Sequence, residues 1–178
     1  MKKIAVILIA VALTSVYSCG KLKHVKFEHT FTAQLTVPAN SVVDQETTVF
    51  SADVSTDIQK IVNDNKTTKD AVNTIKAEEV TLVITAPDAQ TWSYVKDIHI
   101  FLSAPGLKEI EVASKSNIKD NGKELKLSVR DIELKDYFLS ETFKIKATAT
   151  LQEALTQDVN VDAKIHARFD ANLLEVLN

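Results

Sequence analysis

Cysteine and glycine are both scarce in this 178-residue chain, which has one cysteine and three glycines. With Cys19 as the only cysteine, no disulfide can form within the chain. Phosphate-cradling loops and turns that expose a nucleophile usually use several glycines, so such chemistry is disfavoured. Arginine occurs only at positions 130 and 168, the formal net charge is −3, and no basic stripe with interleaved aromatics is present. Nucleic acid is therefore not an expected partner.

The N-terminus carries the pattern of a secretory signal. Lys2 and Lys3 precede an apolar run from residue 4 to residue 16. A run of about thirteen residues suits a signal peptide and is too short to cross a bilayer. The segment Val16-Tyr17-Ser18-Cys19 that follows resembles the lipobox of bacterial lipoproteins, with an unusually large residue at Tyr17.

This resemblance implies a cleaved signal peptide over residues 1–18 and a lipid on Cys19. Residues 19–24 would form a short tether, and residues 25–178 a single domain. Membrane attachment through the lipid, on the periplasmic face of the outer membrane, is the expected location, with the cell surface as the alternative. An uncleaved anchor helix and cleavage that leaves a free thiol on Cys19 are the competing interpretations. The free thiol would be a liability in an oxidising compartment.

Alternating apolar and polar residues dominate the rest of the chain. The clearest case is Val25 to Val37, where every second residue is apolar or aromatic except His29. A period of two indicates a half-buried strand. Similar runs near residues 47–54, 80–84, 98–102, 110–112, 125–129, 143–151 and 159–169 bring the count to about eight strands. We therefore predict an antiparallel two-layer β-sandwich, with a partly open barrel as the alternative.

One segment, residues 56–76, changes to a helical period. Thr56-Asp57-Ile58-Gln59 predicts a capping box, and Thr67 to Asp70 predicts a second helix start before Val72 and Ile75. The segment is expected to form two short helices, or one broken helix, docked on a sheet. A further Asn-Gly turn signal at Asn121-Gly122 is expected to join two strands.

The region from Val80 to Lys115 carries a second resemblance. The segments 80–87, 95–107 and 112–115 are similar to a group of small uncharacterised lipoproteins and secreted β-sandwich proteins of Gram-negative bacteria. The likeness covers about the last hundred residues and depends on a strand pattern. It implies a β-sandwich fold and an envelope location, and it assigns no functional residue.

Candidate site residues are few. No two of His24, His29, His99 and His166 have metal-ligand spacing, so no metal and no cofactor is expected. His29 lies on the apolar face of its strand and is predicted to be a buried, hydrogen-bonded core residue, whereas His99 and His166 lie on polar faces. Trp92 and Tyr94 are the candidates for ligand contact, because an exposed aromatic pair could stack on a sugar. The alternative is that both fill the core.

These observations leave two functional hypotheses of different classes. The first is a membrane-anchored, non-catalytic binding or structural module that contacts an envelope protein or a glycan. The second is an envelope hydrolase acting on glycan, ester or peptide substrates. The absence of a G-x-S-x-G or metal motif favours the first, and the helical segment is the first candidate for a partner surface.

Overall fold

The computed structural model describes residues 24–119 and 121–173. Nine strands and two short helices occur in this part of the chain. In order, they are β1 (His24–Val37), β2 (Thr47–Ser55), α1 (Ile58–Asp64), β3 (Val72–Ala86), β4 (Val95–Ser103), β5 (Ile110–Lys115), β6 (Glu124–Lys126), β7 (Ser128–Val129), α2 (Lys135–Phe138), β8 (Thr142–Leu151) and β9 (Val159–Asn172). Two 3-10 turns, Lys69–Ala71 and Trp92–Tyr94, precede β3 and β4.

The strands form two antiparallel sheets that pack as a sandwich, as the sequence predicts. Sheet A has the order β1-β9-β3-β6, and sheet B has the order β2-β8-β4-β5-β7. In β9, every second residue from Val159 to Ala171 is buried, and the residues between them are half-buried or exposed. The alternation in the sequence thus places one face of each long strand in the core between the sheets.

An aromatic cluster joins the two layers. Phe31 of β1 stacks on Phe138 of α2 with ring centroids 4.7 Å apart. Phe143 of β8 meets both rings edge-on, at 5.6 Å from Phe31 and 5.2 Å from Phe138. Edge-to-face and offset-stacked rings are favourable arrangements for aromatic pairs. The cluster therefore connects the edge strand of sheet A, the helix α2 and a central strand of sheet B.

The predicted helical segment is shorter than expected. Only Ile58–Asp64 is α-helical, and the second predicted helix is a single 3-10 turn. Val72 and Ile75 were predicted to be helical and instead lie in β3, where both are buried. Pairing of this stretch with β9, from Val72 opposite Ala171 onward, overrides the local helical pattern.

The predicted capping box is also wrong. The N-cap of α1 is Asp57, whose φ of 47° is left-handed and whose side chain makes no cap hydrogen bond. The hydroxyl of Thr56 accepts from the N–H of Ile58 at 3.4 Å and not from that of Gln59. The hydroxyl of Thr56 also donates to the carbonyl of Ser140 at 2.6 Å, which ties the end of β2 to the start of β8. Gln59 donates to Asn63 at 3.0 Å rather than folding back on the cap.

The Asn121-Gly122 segment does not close a hairpin. It connects β5 of sheet B to β6 of sheet A, and these two strands do not pair. The run from Leu125 to Val129, predicted as one strand, is divided between the sheets. β6 pairs with β3, and β7 pairs with β5.

Candidate functional site

Of the sequence-predicted site residues, Cys19 lies outside the described residues, so the predicted lipidation stays a prediction. Among the described residues, no helix is long and apolar enough to cross a bilayer.

Trp92 and Tyr94 do not form an exposed platform. Both lie in the 3-10 turn before β4 and are 0% and 1% exposed, respectively. Their rings stack with centroids 5.9 Å apart, and the indole Nε1–H of Trp92 donates to the carbonyl of Lys123 at 2.9 Å. The backbone N–H of Trp92 donates to the carbonyl of Gly122. The pair is thus a core plug beneath the β5–β6 connection, and the ligand-contact hypothesis for it is wrong.

The hydroxyl of Tyr94 is buried without a hydrogen-bond partner among the described residues. Burial raises the pKa of this hydroxyl well above its usual range. A buried polar group that lacks a partner has a desolvation cost that is not offset. Tyr94 therefore stabilises the fold through the packing of its ring and not through its hydroxyl.

His29 is half-buried rather than fully buried, and its ring makes no hydrogen bond in the described part of the chain. The predicted hydrogen-bond partner of His29 is thus missing, whereas the predicted burial is met in part. The ring packs edge-on against Phe31 with centroids 4.7 Å apart. Burial lowers the pKa of His29, an effect that Asp57 opposes and Lys60 reinforces. The incomplete burial arises because His29 lines a groove of about 390 Å³ between β1, the end of β2 and α1.

A second, larger groove of about 570 Å³ lies beside the start of α1 and shares Ser55, Thr56, Asp57 and Lys60 with the first. We call it the α1 groove, and its lining residues are Ser55, Thr56, Asp57, Ile58, Gln59, Lys60, Lys69 and Glu141. Three parts of the chain build it: the end of β2, the helical segment and the residue before β8. The first two were predictable as a candidate surface, whereas the contribution of Glu141 depends on the pairing of β2 with β8.

Several polar groups of the α1 groove make local contacts. Ser55 donates to the carboxylate of Asp57 at 3.3 Å, and Lys60 pairs with Asp64 across one helical turn at 2.5 Å. No hydrogen bond joins His29 to Ser55 or Asp57 in the described part of the chain. A nucleophile that is activated by a base needs such a contact. The groove therefore offers charges of both signs for binding, without the geometry of a Ser-His-Asp site.

The outer face of sheet A carries the one group of possible metal ligands in the described ranges. Donor atoms of Glu28, Glu78 and His166 lie within 4.8 Å of one another. Each already has a partner, because Arg168 pairs with Glu78 and the ring of His166 contacts both Glu28 and Thr30. Sequence spacing could not find this cluster, since it draws on three strands. As predicted, His166 lies on a polar face.

His99 occupies the corresponding outer face of sheet B. Its Nδ1 lies 3.6 Å from the carboxylate of Glu111. The same carboxylate forms an ion pair with the guanidinium of Arg130 at 3.2 Å. Such partly exposed pairs contribute little to stability. The prediction that His99 lies on a polar face is confirmed.

Comparison with known proteins gives only distant structural similarity. No protein-family model matches the chain, and no curated protein matches it significantly. A chain in the structure of infectious bursal disease virus, Gx strain, is 11% identical with a TM-score of 0.38, and the match covers 85% of this chain and 33% of the viral chain. A chain of desmodium yellow mottle tymovirus is 8% identical with a TM-score of 0.26, over the full length of both chains. The chain thus spans a third of the first viral chain. Similarity at this level supports no inference about function.

Replacing Tyr94 by phenylalanine tests the role assigned to its hydroxyl. Because the hydroxyl is buried without a partner, Tyr94→Phe should leave the free energy of unfolding unchanged or raise it by up to about 1 kcal/mol. Trp92→Phe is the matched control and should lower it by roughly 1–3 kcal/mol, since it removes a hydrogen bond and leaves a cavity. Urea unfolding measures both, and a marked loss of stability in Tyr94→Phe would show that the hydroxyl has a partner.

The lowered pKa of His29 predicts a pH dependence of stability. Protonation of His29 favours the unfolded chain, so its penalty is absent above the unfolded pKa of about 6.5 and grows as the pH falls below that value. Between pH 8 and pH 5, His29→Gln should therefore lose less unfolding free energy than the wild type. Urea unfolding across this range measures the difference. An equal or steeper loss in His29→Gln would contradict the assignment, and the other histidines are common to both proteins.

Proposed function

We propose that this protein is a membrane-anchored envelope lipoprotein that acts as a non-catalytic binding module. The lipid on Cys19 would hold it at the outer membrane, on the periplasmic face. The α1 groove would bind an envelope protein. Two independent features support this: the signal sequence with its lipobox-like end, and an open groove at one end of a rigid sandwich.

The observation that carries the binding role is the composition of the α1 groove. It is about 570 Å³ in volume and is lined by basic, acidic and amide side chains on one short helix and its flanking strand ends. Asp57, Gln59 and Lys60 are exposed there. Exposed charges of both signs favour specific recognition of a polar protein surface. A groove of this kind at the junction of rigid elements suits binding better than it suits covalent chemistry.

A protein partner is favoured over a glycan. Stacking on a sugar needs an exposed aromatic face, and the aromatic pair that could have supplied one is buried. The residues that line the α1 groove include no aromatic side chain. Within the α1 groove, the described residues give the hydrolase alternative no support, because the Ser55 hydroxyl donates to Asp57 and forms no hydrogen bond with a histidine.

Lipidation of Cys19 is tested by intact mass spectrometry of the protein extracted from membranes. The expected species begins at Cys19 and carries two or three acyl chains, since each buried CH₂ contributes about 0.8 kcal/mol and one chain alone holds a protein only weakly. Cys19→Ala should appear in the soluble envelope fraction. A species that begins at Gly20 or later, or an unmodified Cys19, would overturn the anchoring proposal.

Binding through the α1 groove is tested by crosslinked pull-down from native envelopes with matched variants. Lys60→Glu combined with Lys69→Glu reverses both basic groups of the groove. Recovery of the partner should fall by about tenfold or more, since the loss of two charge contacts with like-charge repulsion exceeds 1.4 kcal/mol.

The matched control for this experiment is Lys96→Glu combined with Lys164→Glu. It makes the same change in net charge at two lysines outside the groove, neither of which forms an ion pair in the described part of the chain. Partner recovery should stay at the wild-type level. Equal recovery with both double variants would exclude the α1 groove as the binding surface. Reproducible turnover of an ester, glycoside or peptide by the purified protein would instead promote the hydrolase.

A further inference from the structure

Among the described residues, no strand pairs with the outer edge of β1. It is the outermost strand of sheet A and pairs only with β9, in continuous register from His24 opposite Asn172 to Val37 opposite Val159. No bulge interrupts these fourteen residues, and no proline lies among them. A long, flat edge strand presents a row of free N–H and C=O groups to any extended chain.

The other outer strands of the described sheets are less suited to pairing. β6 has three residues and β7 has two. β2 has nine residues, and a bulge interrupts its register with β8 between Thr48 and Phe50. Short strands and bulges are the usual devices that prevent edge pairing. The edge of β1 lacks both devices.

The N-terminal half of β1 also carries an incompletely covered apolar stripe. From Phe31 to Val37, the inward-facing residues are buried, whereas Val25, Phe27 and His29 are only half-buried. Phe27 stacks on the buried ring of Phe169, with centroids 4.8 Å apart, so one side of its ring remains open. A strand placed beside residues 24–30 would cover this stripe.

The charged side chains on the outer face of residues 24–30 favour a second copy of the same strand as the partner. Lys26 and Glu28 are two residues apart on that face, and the side chain of Lys26 is 71% exposed. If a second copy of β1 pairs antiparallel about Phe27, Lys26 of each copy lies opposite Glu28 of the other. The same register places Phe27 opposite Phe27 and Val25 opposite His29. Registers centred on residue 26 or residue 28 would place like charges opposite each other, which is unfavourable.

We propose that two copies of this protein associate through antiparallel pairing of residues 24–30 of β1, about a two-fold axis at Phe27. The two four-stranded A sheets then become one continuous sheet. The contact is isologous, so it closes as a dimer and does not propagate. The ion pairs that each copy already makes beside the edge, Lys26 with Asp170 at 3.9 Å and Glu28 with His166 at 3.2 Å, remain on the same outer face. The inference is independent of the α1 groove.

A cysteine placed on the two-fold axis tests the register. Residues directly opposite in an antiparallel pair have Cα atoms about 4.5–5.5 Å apart, which is within the range of a disulfide. Phe27→Cys in the full chain should form a disulfide-linked dimer in the oxidising envelope. Thr32→Cys on the same strand and Ser51→Cys on β2 should not, and neither should the wild type, whose only cysteine is Cys19. The proposal would be overturned if Phe27→Cys formed no dimer, or if Thr32→Cys or Ser51→Cys formed the dominant dimer. A crosslinked product whose mass is not twice that of the chain would also overturn it.

A charge-exchange series tests the same contact without touching the core. Lys26→Glu should weaken the dimer of the detergent-extracted full chain by about tenfold or more in sedimentation equilibrium, because two attractive pairs become repulsive. Glu28→Lys alone should weaken it similarly, and Lys26→Glu combined with Glu28→Lys should restore it. Monomeric wild-type protein at all concentrations, or a double variant no better than the single ones, would refute the pairing.

Discussion

Pairing of β9 with both β1 and β3 is the interaction on which the rest of the structure depends. The last strand of the described chain lies between the first strand and a strand from the middle, and it pairs with each along nearly its full length. The register is continuous with β1 and shifts at three points along β3. Sheet A therefore cannot form until the C-terminal part of the chain is available. Contacts so distant in sequence make loop closure costly and folding slow. The inward-facing residues of β9, buried from Val159 to Ala171, then provide the surface on which sheet B packs.

The strands themselves were largely predictable because each is half-buried. A strand with one face in the core has to alternate, and the sequence of β1 alternates from its first residue to its last. The order of the strands was not predictable in the same way. Of the eight connections between the nine described strands, two stay within one sheet: β4–β5 and β7–β8. Of these two pairs, only β4 and β5 are adjacent strands in the sheet. Alternation identifies a buried face but contains no information about which partner lies beside it.

The wrong predictions share one physical cause, which is that tertiary contacts outweigh local signals. Val72 and Ile75 have helical spacing, yet pairing with β9 makes them part of a strand. Asn121-Gly122 has the sequence of a tight hairpin turn, yet it carries the chain from one sheet to the other. Trp92 and Tyr94 lie between strands, where exposure is common, and are buried because the β5–β6 connection covers them. For the candidate site, the helical segment was predictable, but its groove required knowledge of the β2–β8 register.

The different lengths of the two sheets explain why the candidate surfaces are at one end. The long strands of sheet A, β1, β3 and β9, have 14, 15 and 14 residues. Their counterparts in sheet B, β2, β4 and β8, have 9, 9 and 10. At about 3.3 Å per residue, about five extra residues make these strands of sheet A roughly 16 Å longer than their counterparts, so sheet A extends beyond sheet B. The apolar face of that extension needs a cover other than strands.

The two helices provide that cover. Ile58, Ile61 and Val62 of α1 are buried, Thr67 donates to the carbonyl of Asn172 at the end of β9 at 2.6 Å, and the N–H of Leu134 at the start of α2 donates to the carbonyl of Ile75 at 2.9 Å. A groove separates this seven-residue helix from residues 29–32 of the outer strand β1, and Val25, Phe27 and His29 stay half-buried. The α1 groove and the incompletely covered apolar stripe of β1 thus have one origin. Both follow from a long sheet packed on a shorter one, with a helix too small to complete the second layer.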